Sequence, residues 1–272
     1  MEKYSKSVCE LKHEFVKAYK GNSHTTEILP NLPNESLKIE HQQLSLLHKF
    51  LDVNPIYSNR ISEKISNVDY TIFEGDLNNY WIDSIKHDTS YAPFYPTWML
   101  SAWGLVLNAH ILGFEQIIDI GSGDGRIAYC GKVLGLNTIS IEIDENLVNM
   151  QEKLSTKTGV NFNPVCSDAT RYDFNEIPSK KSIFIIGGVP EIGEVLAESV
   201  IKNALESSHI SNSSFVLTGS HSHREFSRDK THFGWGTSIK KFELTVISTI
   251  SLPTYWTMDQ EFETPYVFTK KG

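Results

Sequence analysis

The sequence predicts an α/β fold: a seven-stranded, mostly parallel sheet with helices on both faces, preceded by a helical N-terminal extension. Three observations carry this expectation. The apolar run Ile117-Ile118-Asp119-Ile120 breaks into the alternating glycines Gly121, Gly123 and Gly125, the pattern of a buried strand turning sharply into a helix. Short apolar runs recur at residues 137–142, 163–169, 182–186 and 214–218, with helical segments between them. Two more, at residues 242–248 and 264–269, close the chain.

Taken in order, residues 2–19 carry Val8, Leu11, Phe15, Val16 and Tyr19 at helical spacing, and Gly21 and Asn22 suit the end of that helix. A polar loop through Pro30 and Pro33 follows. A second helix is expected over residues 34–51, on Leu37, Ile39, Leu44, Leu46, Leu47 and Phe50. Residues 1–90 therefore read as a helical extension or cap, and residues 91–272 as the core domain. An aromatic-rich approach (Tyr70, Phe73, Tyr80, Trp81, Tyr91, Phe94, Tyr95, Trp98) leads into a helix over residues 96–112, with Pro96 at an early helical position. Asp144 is expected to cap the helix that follows the second core strand, and Pro190 to open an amphipathic helix running to Glu206.

The glycine loop decides the ligand class. Glycine lets the backbone take positive φ and lets a ligand approach the main chain, leaving amides at the helix start free to bind it. A dinucleotide loop requires Gly-x-Gly-x-x-Gly, and here the last position is Arg126. The spacing is instead Asp-x-Gly-x-Gly-x-Gly, from Asp119 to Gly125. A second acid, Glu142, ends the next strand about 20 residues on, where nucleotide-binding α/β proteins accept hydrogen bonds from ribose hydroxyls.

Together these residues resemble motif I and the ribose acid of the class I S-adenosylmethionine (SAM)-dependent methyltransferases. The loop and the Pro96-Thr97 entry are also similar to those of some non-SET histone-lysine methyltransferases. The resemblance covers about residues 93–270 and implies a Rossmann-like sheet closed by an antiparallel pair. It implies a cofactor site of Asp119, Gly121, Ser122, Gly123, Gly125 and Gly187, with Asp119 and Gly121 facing the methionine part, Glu142 on the ribose, and Asp168 with the Ala169 amide on the adenine. An Asx-turn is the alternative for Asp168. Gly187-Gly188 stands where many amino-methylating members carry Asn/Asp-Pro-Pro-Tyr, which argues against methylation of adenine or glutamine amino groups. The two glycines either leave room for a substrate or form a tight turn, and both readings stand open.

Substrate-contacting candidates are Tyr91, Tyr95, Trp98, Gly188, His221 and His223, since aromatic rings bracket a cation or amine well and the His cluster follows the fifth strand. No ligand set completes a metal site around those histidines. Cys9, Cys130 and Cys166 lack CxxC spacing and read as neither zinc nor disulfide; the latter two are expected to be buried small apolar residues. The net charge of −8, without a Lys/Arg cluster, disfavours a nucleic-acid partner. No apolar stretch suits a signal peptide or a membrane span, and a cytoplasmic location is expected.

The reaction these features imply is methyl transfer from SAM, leaving S-adenosyl-L-homocysteine (SAH), to an unidentified acceptor, with a protein side chain or small molecule favoured. The alternative is a non-catalytic SAM-binding sensor or partner-binding module. A nicotinamide oxidoreductase is disfavoured by Arg126. Neither a catalytic base nor an oligomeric state can be read from the sequence.

Overall fold

The computed structural model describes residues 1–80, 94–208, 210, 212–220, 232–253 and 263–272. Helix α1 (Glu2–Ala18) is followed by β1 (Thr25–Pro30), α2 (His41–Val53), β2 (Tyr57–Ile65) and β3 (Val68–Gly75). The core continues through α3 (Met99–Ile111), β4 (Gln116–Ile120), α4 (Arg126–Val133), β5 (Asn137–Glu142), α5 (Glu145–Thr158) and β6 (Pro164–Cys166). It closes with β7 (Ser182–Ile186), α6 (Pro190–Glu206), β8 (Ser214–Thr218), α7 (Gly236–Lys241), β9 (Leu244–Pro253) and β10 (Glu263–Lys271).

A seven-stranded sheet runs in the order β6-β5-β4-β7-β8-β10-β9. The first five strands are parallel, and β10 pairs antiparallel with both β8 and β9. The central strands β4 and β7 are buried at every position, as strands covered on both faces must be. Alternate side chains divide the interior into two layers. Ile117, Ile183, Ile185 and Val216 point to one face with α3, α4 and α5, while Ile118, Ile120, Phe184 and Leu217 point to the other with α6 and α7.

The N-terminal extension joins the first of these layers. Tyr4 on α1 donates its hydroxyl to the Leu100 carbonyl at 2.5 Å, and its ring fills the space over Gly104 on α3. On α2, Phe50 packs against Tyr129 at 4.6 Å between centroids, and the Tyr129 hydroxyl reaches the Leu46 carbonyl at 2.7 Å.

The extension holds its two helices and also a three-stranded antiparallel sheet, β1-β3-β2, that the sequence reading lacks. The reason is physical. β1 is fully buried yet half polar (Thr25, Thr26, Glu27), and β2 is mostly exposed, so neither shows the apolar alternation that marks a strand. The hairpin between β2 and β3 turns through Ser66 and Asn67, both at positive φ. The second helix starts at His41 rather than residue 34, held by a capping box between Glu40 and Gln43. Asp144 caps α5 as expected, accepting from Asn146 N at 2.7 Å and Leu147 N at 3.2 Å. No helix among the described residues is long and apolar enough to cross a membrane.

Candidate cofactor and acceptor site

A cavity of about 570 Å³ opens at the carboxyl edge of β4, β5 and β7, where open α/β sheets bind ligands. Asp119, Gly121, Ser122, Gly123, Glu142, Asp168, Ala169, Gly187 and Gly188 all line it. Nine sequence-expected positions from four segments thus meet in one place.

The loop glycines differ in purpose. Gly121 has φ +64, and a Cβ there would point into open space. Gly123 has φ +58, and a Cβ would lie 2.3 Å from the Phe94 ring, so this glycine admits a close wall. Gly125 does not line the cavity. Its φ of +77 starts α4, and the missing side chain makes room for Phe162 at 2.4 Å.

Four amides of the loop itself are used inside the protein. Gly121 N and Ser122 N donate to the Ile141 carbonyl at 3.0 and 3.2 Å, Gly123 N to Glu142 Oε2 at 2.7 Å, and Gly125 N to the Ser122 carbonyl at 2.8 Å. Those four amides are therefore not an anion-binding nest.

Asp119 is buried, and its Oδ2 accepts from Ala128 N at 3.1 Å. Burial pushes its carboxyl up to about 8; the Ala128 amide pulls the other way, and the nearby Glu142 and Asp124 charges add to the rise. Glu142 is likewise raised by burial, against three backbone donors, from Gly123, Ile143 and Asp144. Asp168 does two things at once. Its Oδ1 closes an Asx-turn on Thr170 N at 2.9 Å, and its side chain also lines the cavity.

The Gly187-Gly188 pair combines both of its open readings. Gly188 sits at φ +95 in a tight turn, and a Cβ on Gly193 would come within 3.1 Å of the Gly188 carbonyl carbon, so strand end and helix start touch. Both glycines also face the cavity.

The far half of the cavity is apolar with hydroxyls: Tyr95, Ile192, Leu196, Thr218, Pro253 and Tyr266. Tyr95 lies there as expected and is 43% exposed, while Ile192 beside it is 47% exposed. Burial pushes the Tyr266 hydroxyl up to about 12, with a hydrogen bond from Thr97 opposing it. Thr218, Ile192 and Tyr266 escaped the sequence reading. Tyr266 lies in the N-terminal half of antiparallel β10, whose N-terminal end reaches the edge that parallel strands reach with their C-terminal ends; that topology was the available clue.

Trp98 is a correction: it is fully buried beneath the Lys12 ammonium, 4.9 Å from its ring centroid, and does not line the cavity. Being apolar and adjacent to the pocket segment did not place it in the pocket, because the chain turns into α3 at that residue. Cys166 is also corrected. It is exposed, because β6 is a short edge strand, whereas Cys130 is buried as expected. Tyr91, His221 and His223 lie outside the described residues.

Arg126, which breaks the dinucleotide pattern, is buried and fully used. It donates to Asp124 through Nε at 2.9 Å and Nη2 at 2.6 Å, to the Thr97 carbonyl at 2.7 Å, to the Tyr57 hydroxyl at 3.0 Å, and to Glu27.

No protein-family profile matches the chain, and no curated protein matches it in sequence. Among solved structures it is similar to an O-methyltransferase from Bacillus cereus in complex with SAH. The identity is 10%, over 98% of this chain and 100% of that one, with a TM-score of 0.52. It is also similar to magnesium protoporphyrin IX methyltransferase from Synechocystis PCC 6803 with bound SAH (10% identity, 71% of this chain and 96% of that one, TM-score 0.47). A third is the tRNA (uracil-54, C5)-methyltransferase of Pyrococcus abyssi with SAH (16% identity, 78% of this chain and 44% of that one, TM-score 0.47). The first likeness, with the strand order above, defines the fold class: this is the Rossmann-like fold of class I SAM-dependent methyltransferases.

Proposed function

We propose that the protein is a SAM-dependent methyltransferase acting on a protein side chain or a small molecule. The single observation that carries this reading is the charge of the loop half of the cavity. Asp119, Glu142 and Asp168 converge there, the amides of Gly121, Ser122, Gly123 and Gly125 are bonded within the protein, and Arg126, the one guanidinium among the described lining residues, is committed to other partners. A pyrophosphate would meet these acid side chains and four amides already bonded, whereas a ligand carrying an ammonium and hydroxyl groups finds hydrogen-bond acceptors in them.

The residues fit such a cofactor in kind. Asp119 and the open side of Gly121 suit the methionine end. Glu142 takes three N–H donors and has one acceptor position left of roughly four, enough for a ribose hydroxyl. Asp168 and Ala169 suit the adenine edge. When bound, SAM supplies an electrophilic methyl for in-line displacement. The chain's part is to orient the acceptor and keep water out, which the apolar far half does with Ile192, Leu196 and Tyr266. Exposed Glu191 and Glu194 beside that mouth, and the net charge of −8, support an acceptor other than nucleic acid.

The far half has no ionisable side chain except Tyr95 and Tyr266 among its described lining residues. This favours an acceptor that arrives already nucleophilic, and it keeps a non-catalytic SAM-binding role as the second reading. Titration with SAM and NAD tests the cofactor, with SAM binding and NAD failing to bind. Transfer of labelled methyl into a cell extract, sorted by protease, nuclease and filtration, tests the reaction. Binding without any labelled product would favour the non-catalytic role. Glu142→Ala is expected to weaken SAM binding by about tenfold or more, since it removes both the hydroxyl acceptor and the anchor of Gly123.

A further inference from the structure

We propose that Glu27, on β1 outside the core sheet, is a positioning residue for the cofactor site, holding the glycine loop against the wall formed by residues 94–97. The inference rests on the SAM reading above.

The geometry is a clasp. Glu27 is fully buried. One carboxylate oxygen accepts from Arg126 Nη1, and the other accepts from Met99 N at 2.9 Å, the first amide of α3. Arg126 carries the grip onward, to Asp124 within the glycine loop and to the Thr97 carbonyl at 2.7 Å. Thr97, Asp124 and Arg126 all line the cavity, and Phe94 rests on Gly123 between them. Glu27 thus bonds the first residue of α4 and the first residue of α3, and does not itself line the cavity.

Charge balance does not explain this residue. Asp124 already pairs Arg126 through three side-chain hydrogen bonds and takes another from Asn54 at 2.9 Å. A second buried carboxylate leaves two negative groups against one guanidinium, an arrangement that costs stability unless position repays it. Burial accordingly raises Glu27 to about 7, with Arg126 and the Met99 amide opposing the rise and Asp124 adding to it. The groups facing it are Arg126, Asp124, the Tyr57 hydroxyl at 3.5 Å and the Met99 amide.

The test is calorimetric SAM binding by the full chain, paired with denaturant unfolding, for the unsubstituted protein, Glu27→Gln, Glu27→Asp and Ile28→Val. Ile28 is a buried neighbour on the same strand that makes none of these contacts, so it reports general loosening of β1. Glu27→Gln is expected to weaken SAM by about tenfold or more, and Glu27→Asp, too short to make both bonds, by a similar factor. Ile28→Val should leave affinity within about twofold at a comparable loss of stability. SAM affinity of the unsubstituted protein should also fall as pH drops through about 7, by more than in Glu27→Gln, since the titration of Asp119 is common to both. Unchanged affinity in Glu27→Gln, or losses that track stability in all three variants, would overturn the inference. An unsubstituted protein that binds no SAM would overturn the cofactor reading itself, and this inference with it.

Discussion

At the scale of single residues, burial of acids governs behaviour. Asp119 has its carboxyl raised from 3.8 to about 8 by desolvation. A raised carboxyl favours the protonated fold, so its contribution to stability is full below about pH 4 and is lost as pH rises through about 8. Asp119→Asn should therefore unfold at higher denaturant than the unsubstituted protein near pH 8 and show a flatter pH profile, while losing SAM affinity. A gain of stability together with unchanged SAM binding would remove Asp119 from the cofactor site. Gly123 makes a second residue-scale prediction. Alanine there must hold φ near +58 and displace Phe94, so Gly123→Ala should cost about 1–3 kcal/mol and weaken SAM, as read by chemical unfolding and titration. The motif residues were legible because glycine spacing and strand-end acids are local features. The use of Arg126 was not, because its partners Glu27, Tyr57 and Thr97 are far away in sequence.

At the scale of elements, the contact of α1 with α3 sets two effects against each other. Gly104 lies inside α3, where Ala would ordinarily help by about 1 kcal/mol. The added Cβ would sit 2.6 Å from Tyr4, and overpacking of that kind costs about 1–3 kcal/mol. The clash should win, so Gly104→Ala is expected to lower the unfolding midpoint; a rise would mean that α1 yields freely. Core strands were legible to within a residue at residues 137–142, 182–186 and 214–218, because β-branched and apolar residues cluster there between helical segments, as in strands buried on both faces. β1 was not legible. Its Thr25, Thr26 and Glu27 are buried polar residues whose partners come from other segments, and composition alone reads them as loop.

At the scale of the whole molecule, the extension does not behave as a detachable cap. Its residues share one apolar layer with α3 and α4, and its Glu27 bonds Arg126 at the start of α4. A chain of residues 91–272 alone is expected to expose Trp98, Trp103 and Tyr129, to lose cooperative unfolding, and to bind no SAM. Cooperative unfolding and full SAM affinity in that fragment would show the extension to be dispensable.

The sequence by itself determined the fold class, the succession of core strands along the chain and the meeting of Asp119, Glu142 and Asp168 at one edge of the sheet. These follow from periodicity and from short motifs, in which each residue's role depends on its immediate neighbours along the chain. The tertiary structure alone decided that Trp98 is core and Tyr266 is pocket, that four loop amides are already bonded, and that an acid from β1 bonds the starts of α3 and α4. Each of those depends on burial and on hydrogen bonds between segments distant in sequence. Neither quantity exists until the chain has folded.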